Sequence, residues 1–174
     1  MQCFGDLAWL FFDDKQLDAA EDAAYRAIDL IAEKGQEFDL CQLHRVLGNI
    51  YRSKGNKRKA VHHFKTALGI ASPPNWREEL FWIHYFLAEV FRDEDEFDEA
   101  NAHVEQAKSH AVDSLYNLGR AMELQAKVWY GQGRLEDSKL EALHALTIYE
   151  ELGSAQDAEG CRSFHREVEL AFEV

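Results

Sequence analysis

Apolar and small residues recur along the chain with helical spacing, and the whole pattern repeats at intervals of 40 residues. Residues 47–51 superimpose on residues 87–91 at that offset, residues 7–11 lie one unit earlier, and a fourth unit follows after 38 residues. In the second unit Leu47 is followed by the small Gly48 and, three residues later, by Tyr51. Steps of three and four residues place such side chains on one face of a helix.

A second helix is predicted in each unit from another run of small residues. In the second unit this run contains Ala60, Phe64 and Ala67, again with steps of four and three. Small residues let two helices approach closely, and the aromatic ring fills the space beside them. Turn-forming residues separate the two segments, as at Gly55-Asn56. The pattern predicts a helix–turn–helix in every unit and an all-α fold.

With these repeated positions the chain resembles the tetratricopeptide repeat (TPR), whose pattern is W-x2-L-G-x2-Y, then A-x3-F-x2-A, then P. The second unit matches it best. It reads His44-x2-Leu47-Gly48-x2-Tyr51, Ala60-x3-Phe64-x2-Ala67, with Pro73-Pro74 at its end. The period of 40 residues exceeds the commoner period of about 34. It looks like the longer units of kinesin-light-chain and LGN-type adaptors.

The resemblance implies a right-handed TPR superhelix, an α-solenoid of four helix-turn-helix repeats in a single domain over residues 1–174. The repeats are expected at about residues 1–34, 41–74, 81–112 and 119–152. Residues 155–174 carry one more amphipathic pattern. Since a solenoid needs its last exposed face covered, we expect this segment to be a capping helix.

Composition narrows the classes of function. The 19 basic and 32 acidic residues give a net charge of −13, which argues against nucleic acid as a partner. No apolar stretch reaches the roughly 18 residues of a membrane span, and the apolar start lacks the basic region of a signal peptide. The three cysteines are far apart and form no CxxC pair, so neither a disulfide framework nor a thiolate metal site is expected. The chain is predicted to be cytoplasmic.

The sequence offers few candidate catalytic or metal-binding residues. The eight histidines form no HExxH motif. We expect His44 and His84 at the packed boundary of their helices, and the adjacent His62 and His63 on the surface. The acidic turn at residues 93–96 lacks the glycine and terminal glutamate of a calcium loop, so its acids are interpreted as helix-start residues. The sequence therefore predicts no enzyme, no catalytic residue, no cofactor and no metal.

The resemblance also implies a concave groove lined by the first helix of each repeat. The positions predicted to contact a partner there are Arg45, Asn49, Arg52, Trp82, Tyr85, Glu89, Arg92, Arg120, Lys127 and Tyr130. Residues 41–80 hold 8 basic and 2 acidic residues, a charge of +6 in an otherwise acidic chain. Because arginine side chains bind carboxylates bidentately, we expect a protein-binding adaptor or scaffold whose groove takes an acidic peptide.

Three alternatives remain open at this stage. These positions could be ordinary solvated helix faces. The groove could instead resemble the two-carboxylate clamp of TPR co-chaperones, with Arg45, Asn49 and Arg120 at clamp positions, although Phe86 and Leu124 depart from that pattern.

The third alternative is structural. No cap precedes the first helix, and Trp9 and Phe12 on it offer an apolar surface for homo-oligomerisation. The same surface could pack against the rest of a larger signalling protein, of which this chain would be a segment.

Overall fold

The chain is helical throughout the part that the computed structural model describes, which comprises residues 3–31, 36–71, 76–111 and 113–172, with side chains from residue 8 onward. Nine α-helices lie in these ranges, and no strand does. They are α1 (Cys3–Asp13), α2 (Leu17–Ile31), α3 (Glu37–Ser53), α4 (Lys57–Ile70), α5 (Arg77–Arg92), α6 (Phe97–His110), α7 (Leu115–Gly131), α8 (Leu135–Glu151) and α9 (Ala155–Ala171). The predicted all-α class is confirmed.

The helices form two compact units, residues 1–86 and residues 87–174, with the boundary inside α5. In the first unit α1 packs against α2, α3 packs against α4, and α3 also contacts α1 and α2. In the second unit α7 packs against both α6 and α8, and α8 packs against α9. These consecutive helices are therefore neighbours in space, as expected of helix hairpins joined by short turns.

Every described hairpin turn contains one residue with a left-handed backbone at the same repeat position. These residues are Lys15 (φ 60°), Gly55 (φ 69°), Asp95 (φ 58°) and Gly133 (φ 74°), at offsets of 40, 40 and 38 residues. Glycine adopts this conformation without a steric cost, whereas a residue with a Cβ atom is strained there. The turn geometry is thus common to all four hairpins, although only two of them carry glycine.

Helix starts follow the expected local chemistry. The side chain of Asn56 caps α4 by accepting a hydrogen bond from the backbone N–H of Lys59 at 3.1 Å. Ser114 caps α7 in the same way through the N–H of Asn117 at 3.2 Å. The first turn of α6 contains two acidic residues, Asp98 and Glu99. There the carboxylates face the positive end of the helix dipole.

Close approach of α3 and α4 depends on the small residue at position 48. A Cβ atom added to Gly48 would lie 2.5 Å from Cε1 of Phe64. Phe64 is fully buried, together with Ala60 and Ala67 on the same helix. The aromatic ring therefore occupies the space that a side chain at position 48 would need.

The last helix covers the end of the second unit. Ala158 and Cys161 of α9 pack into a core with Ala145, Leu146 and Tyr149 of α8. Its remaining surface is largely polar, which is what a terminal helix of a repeat array requires. No helix in the described ranges is both long enough and apolar enough to cross a membrane.

Candidate functional site

The face of α3 in the first unit is held in place by a buried ion pair. Arg45 donates two hydrogen bonds to Glu79 of α5, from Nε to Oε2 at 2.7 Å and from Nη2 to Oε1 at 3.2 Å. The two side chains are only 11% and 5% exposed. The guanidinium also lies 5.0 Å from the ring centroid of Trp9 on α1. Arg45 thus links three helices of the first unit.

The other predicted contact residues of this unit differ in accessibility. Asn49 and Tyr85 are buried, whereas Arg52 and Trp82 are half-buried. The amide nitrogen of Asn49 has no hydrogen-bond partner among the described residues. Trp82 packs edge-on against Tyr85, with centroids 5.8 Å apart. Arg52 and Trp82 are therefore the members of this set that a partner in solution can reach.

A cavity of about 250 Å³ opens beside the ion pair, between the start of α3 and the first two turns of α5. Its aromatic walls are Phe38, Trp76 and Trp82, and its polar walls are Gln42, Arg45, Glu78 and Glu79. Phe38 and Trp76 meet edge to face, with centroids 5.2 Å apart. The cavity therefore combines aromatic surfaces with two carboxylates and one guanidinium.

In the second unit, several of the residues predicted to contact a partner contact other residues of the protein. Arg92 pairs with its neighbour Asp93 (Nη2–Oδ1 2.5 Å). Lys127 pairs with Glu123 (Nζ–Oε1 2.5 Å), and it lies 5.8 Å from the ring of Phe164 on α9. Tyr130 packs edge-on against the same Phe164 ring at 5.7 Å. Lys127 and Tyr130 thus face the last helix.

The remaining predicted positions of this unit are half-buried: they are Glu89 and Arg120. On α1 of the first unit, Trp9 and Phe12 are also half-buried and meet edge to face at 5.8 Å. Leu10 between them is 54% exposed. This leucine is the accessible apolar residue on the described part of α1.

The prediction that His63 lies on the surface is wrong. It is 6% exposed, and its Nδ1 lies 3.0 Å from Nδ1 of His44. Its ring stacks on Tyr51 at 5.3 Å, and its Nε2 lies 3.2 Å from the hydroxyl of Tyr25. Burial, and then the charge of His44, lower the pKa of His63 to about 4. His62 is exposed as expected, although its ring contacts that of His63 edge-on, with centroids 5.3 Å apart.

The two cysteines with described side chains are buried thiols. Sγ of Cys41 donates to the carbonyl of Ala67 at 3.4 Å, and Sγ of Cys161 donates to the carbonyl of Ala142 at 3.2 Å. Burial raises the pKa of each thiol to about 12. Neither is a reactive thiolate at neutral pH. Within the described ranges, no group of three or more His, Cys, Asp or Glu side chains could hold a metal ion.

Sequence reasoning missed four residues of the cavity: Phe38, Trp76, Glu78 and Glu79. They do not occupy TPR consensus positions, and Trp76 closely follows Pro73-Pro74 in the segment between two repeats. The available signal was the run of aromatic and acidic residues at 76–82. Glu79 within this run pairs with Arg45, 34 residues earlier. That pairing is a tertiary contact, which no local pattern reveals.

Comparisons with known proteins agree on the repeat. The family model for the tetratricopeptide repeat matches residues 46–73. A search among curated proteins finds no match.

Among solved structures, the chain is similar to BtubC (BKLC) from P. vanneervenii, with a TM-score of 0.73 and 18% identity over 98% of this chain and 80% of that one. It is also similar to a Podosopora anserina putative kinesin light chain with nearly identical TPR-like repeats, with a TM-score of 0.67 and 13% identity. That match covers 98% of this chain and 95% of the other. At these identities the likeness concerns the fold. The predicted tetratricopeptide repeat is confirmed by the family model at residues 46–73, and the likeness in fold extends over 98% of the chain.

Proposed function

We propose that this tetratricopeptide-repeat protein is a protein-interaction module, an adaptor or scaffold that binds a peptide segment on the first helices of its hairpins and has no catalytic role. TPR folds generally mediate protein–protein interaction, and that is the general basis of the proposal. The observation that carries it for this chain is the surface formed by α3 and residues 77–86 of α5, called the α3–α5 surface below. Half-buried Arg52 and Trp82 belong to it, beside an open aromatic cavity.

The partner segment is proposed to be acidic where it meets each unit. Arg52 is the cation assigned to the α3–α5 surface of the first unit, and Arg92 is the one assigned to the second unit. Arg92 already contacts Asp93 at an exposed site, where a surface ion pair contributes little and exchanges readily. Arg45 is assigned a supporting role, because its guanidinium is committed to buried Glu79. Asn49 and Tyr85 are likewise proposed to form the floor of the α3–α5 surface.

The other predicted residues enter the proposal in the second unit. Glu89, Arg120, Lys127 and Tyr130 are proposed to contact a partner there, with Lys127 and Tyr130 acting next to Phe164 of α9. Each of the two units is treated as a separate contact surface.

The test is a random-peptide library displayed on phage and selected against the immobilised chain. Binding of enriched peptides is then measured by calorimetry with two charge-matched variants. Arg52→Glu/Arg92→Glu changes one cation on each unit and should weaken binding about tenfold or more, since charge-assisted contacts to the peptide are lost. Arg58→Glu/Lys65→Glu makes the same change in net charge at two exposed positions of α4 and should leave the affinity unchanged.

Two outcomes would contradict the proposal. One is that no peptide is enriched above an unrelated helical-repeat control. The other is that both double variants bind the enriched peptides equally well. Arg45→Glu is unsuitable for this test, because it would place two carboxylates together in a buried site and unfold the surface.

A second candidate function is self-association, or packing against the rest of a larger signalling protein, through α1. The observation in its favour is exposed Leu10 between Trp9 and Phe12. A concentration-dependent dimer that Leu10→Asp abolishes would establish this function in place of the first.

A further inference from the structure

The cavity beside Arg45 has the size of a site for one side chain. Its volume is about 250 Å³, below the roughly 300–1,000 Å³ of pockets that enclose whole small-molecule ligands. One water molecule takes up about 30 Å³ in the liquid. The space therefore suits the head group of a single long side chain with a few displaced waters.

The walls select for positive charge. The faces of aromatic rings attract cations within about 6 Å. In the described part of this chain the tryptophans outside the cavity already have such neighbours. Arg45 lies 5.0 Å from the ring of Trp9, and Arg134 lies 4.7 Å from that of Trp129. No described cation lies over Trp76 or Phe38, and Phe38 is 43% exposed.

The polar groups of the cavity carry a net negative charge. Arg45 and Glu79 neutralise each other through their two hydrogen bonds. Glu78 is exposed and makes no hydrogen bond or ion pair with another described residue. Its carboxylate is therefore the uncompensated charge of the cavity. A carboxylate next to open aromatic faces is the environment that a lysine ammonium or an arginine guanidinium prefers.

We infer that this cavity receives one cationic side chain, lysine or arginine, of the partner segment. The inference rests on the proposed function, since it assigns one anchor residue of the peptide on the α3–α5 surface. The partner would then be acidic along the helices and carry a single basic anchor. Because the anchor contacts Glu78 and the rings of Phe38 and Trp76, it also determines where the peptide lies along the surface.

The test uses five-residue peptides, acetyl-Gly-Ala-X-Ala-Gly-amide, with X as Arg, Lys, Gln, Glu or Leu. Each is titrated into the ¹⁵N-labelled chain while the indole N–H signals of the four tryptophans are followed by NMR. Signals are assigned with Trp76→Phe and Trp82→Phe. The Arg and Lys peptides should shift the Trp76 signal saturably. The Trp129 signal should not move, since Arg134 already covers that ring.

Glu78→Gln should weaken binding of the Arg peptide about threefold, the effect of losing one exposed charge partner. Trp76→Ala should weaken it by about threefold to fivefold, the effect of one exposed cation–π contact. Glu99→Gln removes an equivalent exposed carboxylate from α6 and should change nothing. Circular dichroism of each variant confirms that the helices are retained.

The inference is overturned if the Gln or Leu peptide binds as well as the Arg peptide, or if no peptide shifts Trp76. Failure of this inference is distinguishable from failure of the proposed function. Library-selected peptides that remain sensitive to Arg52→Glu/Arg92→Glu, but bind unchanged when their basic residues become Gln, would retain the function and reject the anchor.

Discussion

Single residues of one chemical type have different roles in this chain, according to what surrounds them. Adjacent His62 and His63 differ completely, one exposed and one buried between aromatic rings. Arg45 forms a buried ion pair with Glu79, whereas Arg52 lies half-buried two helical turns further along α3. Helical steps of about 100° per residue separate neighbours onto different faces. Residue type alone is therefore a weak guide to role in a helical repeat.

The buried histidine makes stability depend on pH. The pKa of His63 is lowered from 6.5 to about 4 in the folded chain. The unfolded chain therefore takes up this proton first as the pH falls. This group alone should lower the free energy of unfolding as the pH falls from 6.5 to 4, by roughly 3 kcal/mol at about 1.4 kcal/mol per pKa unit.

Urea unfolding at several pH values checks this expectation. His63→Gln removes the titrating group, so its stability should vary less with pH over that window than the wild type does. His62→Gln should retain most of the wild-type slope, because burial lowers the pKa of His63 more than the charge of His62 does. Equal slopes for wild type and His63→Gln would show that other groups produce the dependence. The charged and titratable groups facing His63 are Lys59 and His62 on α4, His44 and Tyr51 on α3, and Glu21 and Tyr25 on α2.

At the scale of elements, the hairpin turns are more uniform than their sequences. Four turns share one left-handed position, occupied by Lys15, Gly55, Asp95 and Gly133. The helices on either side impose this geometry, because the N–H of the residue after each position bonds back to the first helix of the hairpin. For example, Glu96 N–H donates to the carbonyl of Phe91 at 2.9 Å. The residue at this position therefore adopts the left-handed backbone conformation whether or not it is glycine.

We expect Asp95→Gly to stabilise the chain by about 0.5–1 kcal/mol, since it removes the strain of a Cβ atom in a left-handed backbone. The reciprocal change, Gly133→Ala, should destabilise it by about 1 kcal/mol, because no neighbouring atom within 4 Å would contact the added methyl group to compensate. The midpoints of urea unfolding measure both effects. A loss of stability in Asp95→Gly would mean that the aspartate side chain contributes more than its backbone strain costs.

For the molecule as a whole, the uneven charge distribution contributes to folding. Residues 1–40 hold 3 basic and 10 acidic residues, a charge of −7, next to the +6 of residues 41–80. Some of these opposite charges form ion pairs within the protein. Lys54 on the loop after α3 pairs with Asp18 at 2.6 Å and Glu21 at 2.5 Å on α2. The basic stretch is therefore less available to an acidic partner than its composition indicates.

A net charge of −13 should also keep the chain monomeric, since like-charged molecules repel one another. Sedimentation velocity in about 10 mM and about 1 M salt tests this, because the Debye length falls from about 30 Å to about 3 Å. We expect a monomer at low salt, where the repulsion acts over the longer distance, and a dimer at low salt would contradict this. A dimer that appears at high salt and is lost in Leu10→Asp would instead favour self-association through α1.

The repeat, the helical class and the small-residue positions followed from the sequence alone, because they depend on local periodicity. Gly48 faces Phe64 as the spacing implied, and the last helix covers α8. The surroundings of the residues predicted to contact a partner could be foreseen only in part. Helical spacing places Arg45 and Arg52 on one stripe, but the tertiary structure decides that Glu79 neutralises the first. It likewise places Lys127 and Tyr130 against Phe164.

Only the tertiary structure brought Phe38, Trp76 and Glu78 together into a cavity, and only it buried His63. Both arise from side chains on different helices, where distance along the chain carries no information about proximity. Periodicity determines which face of each helix is apolar, whereas burial, ion pairing and access to a partner depend on which helix lies opposite.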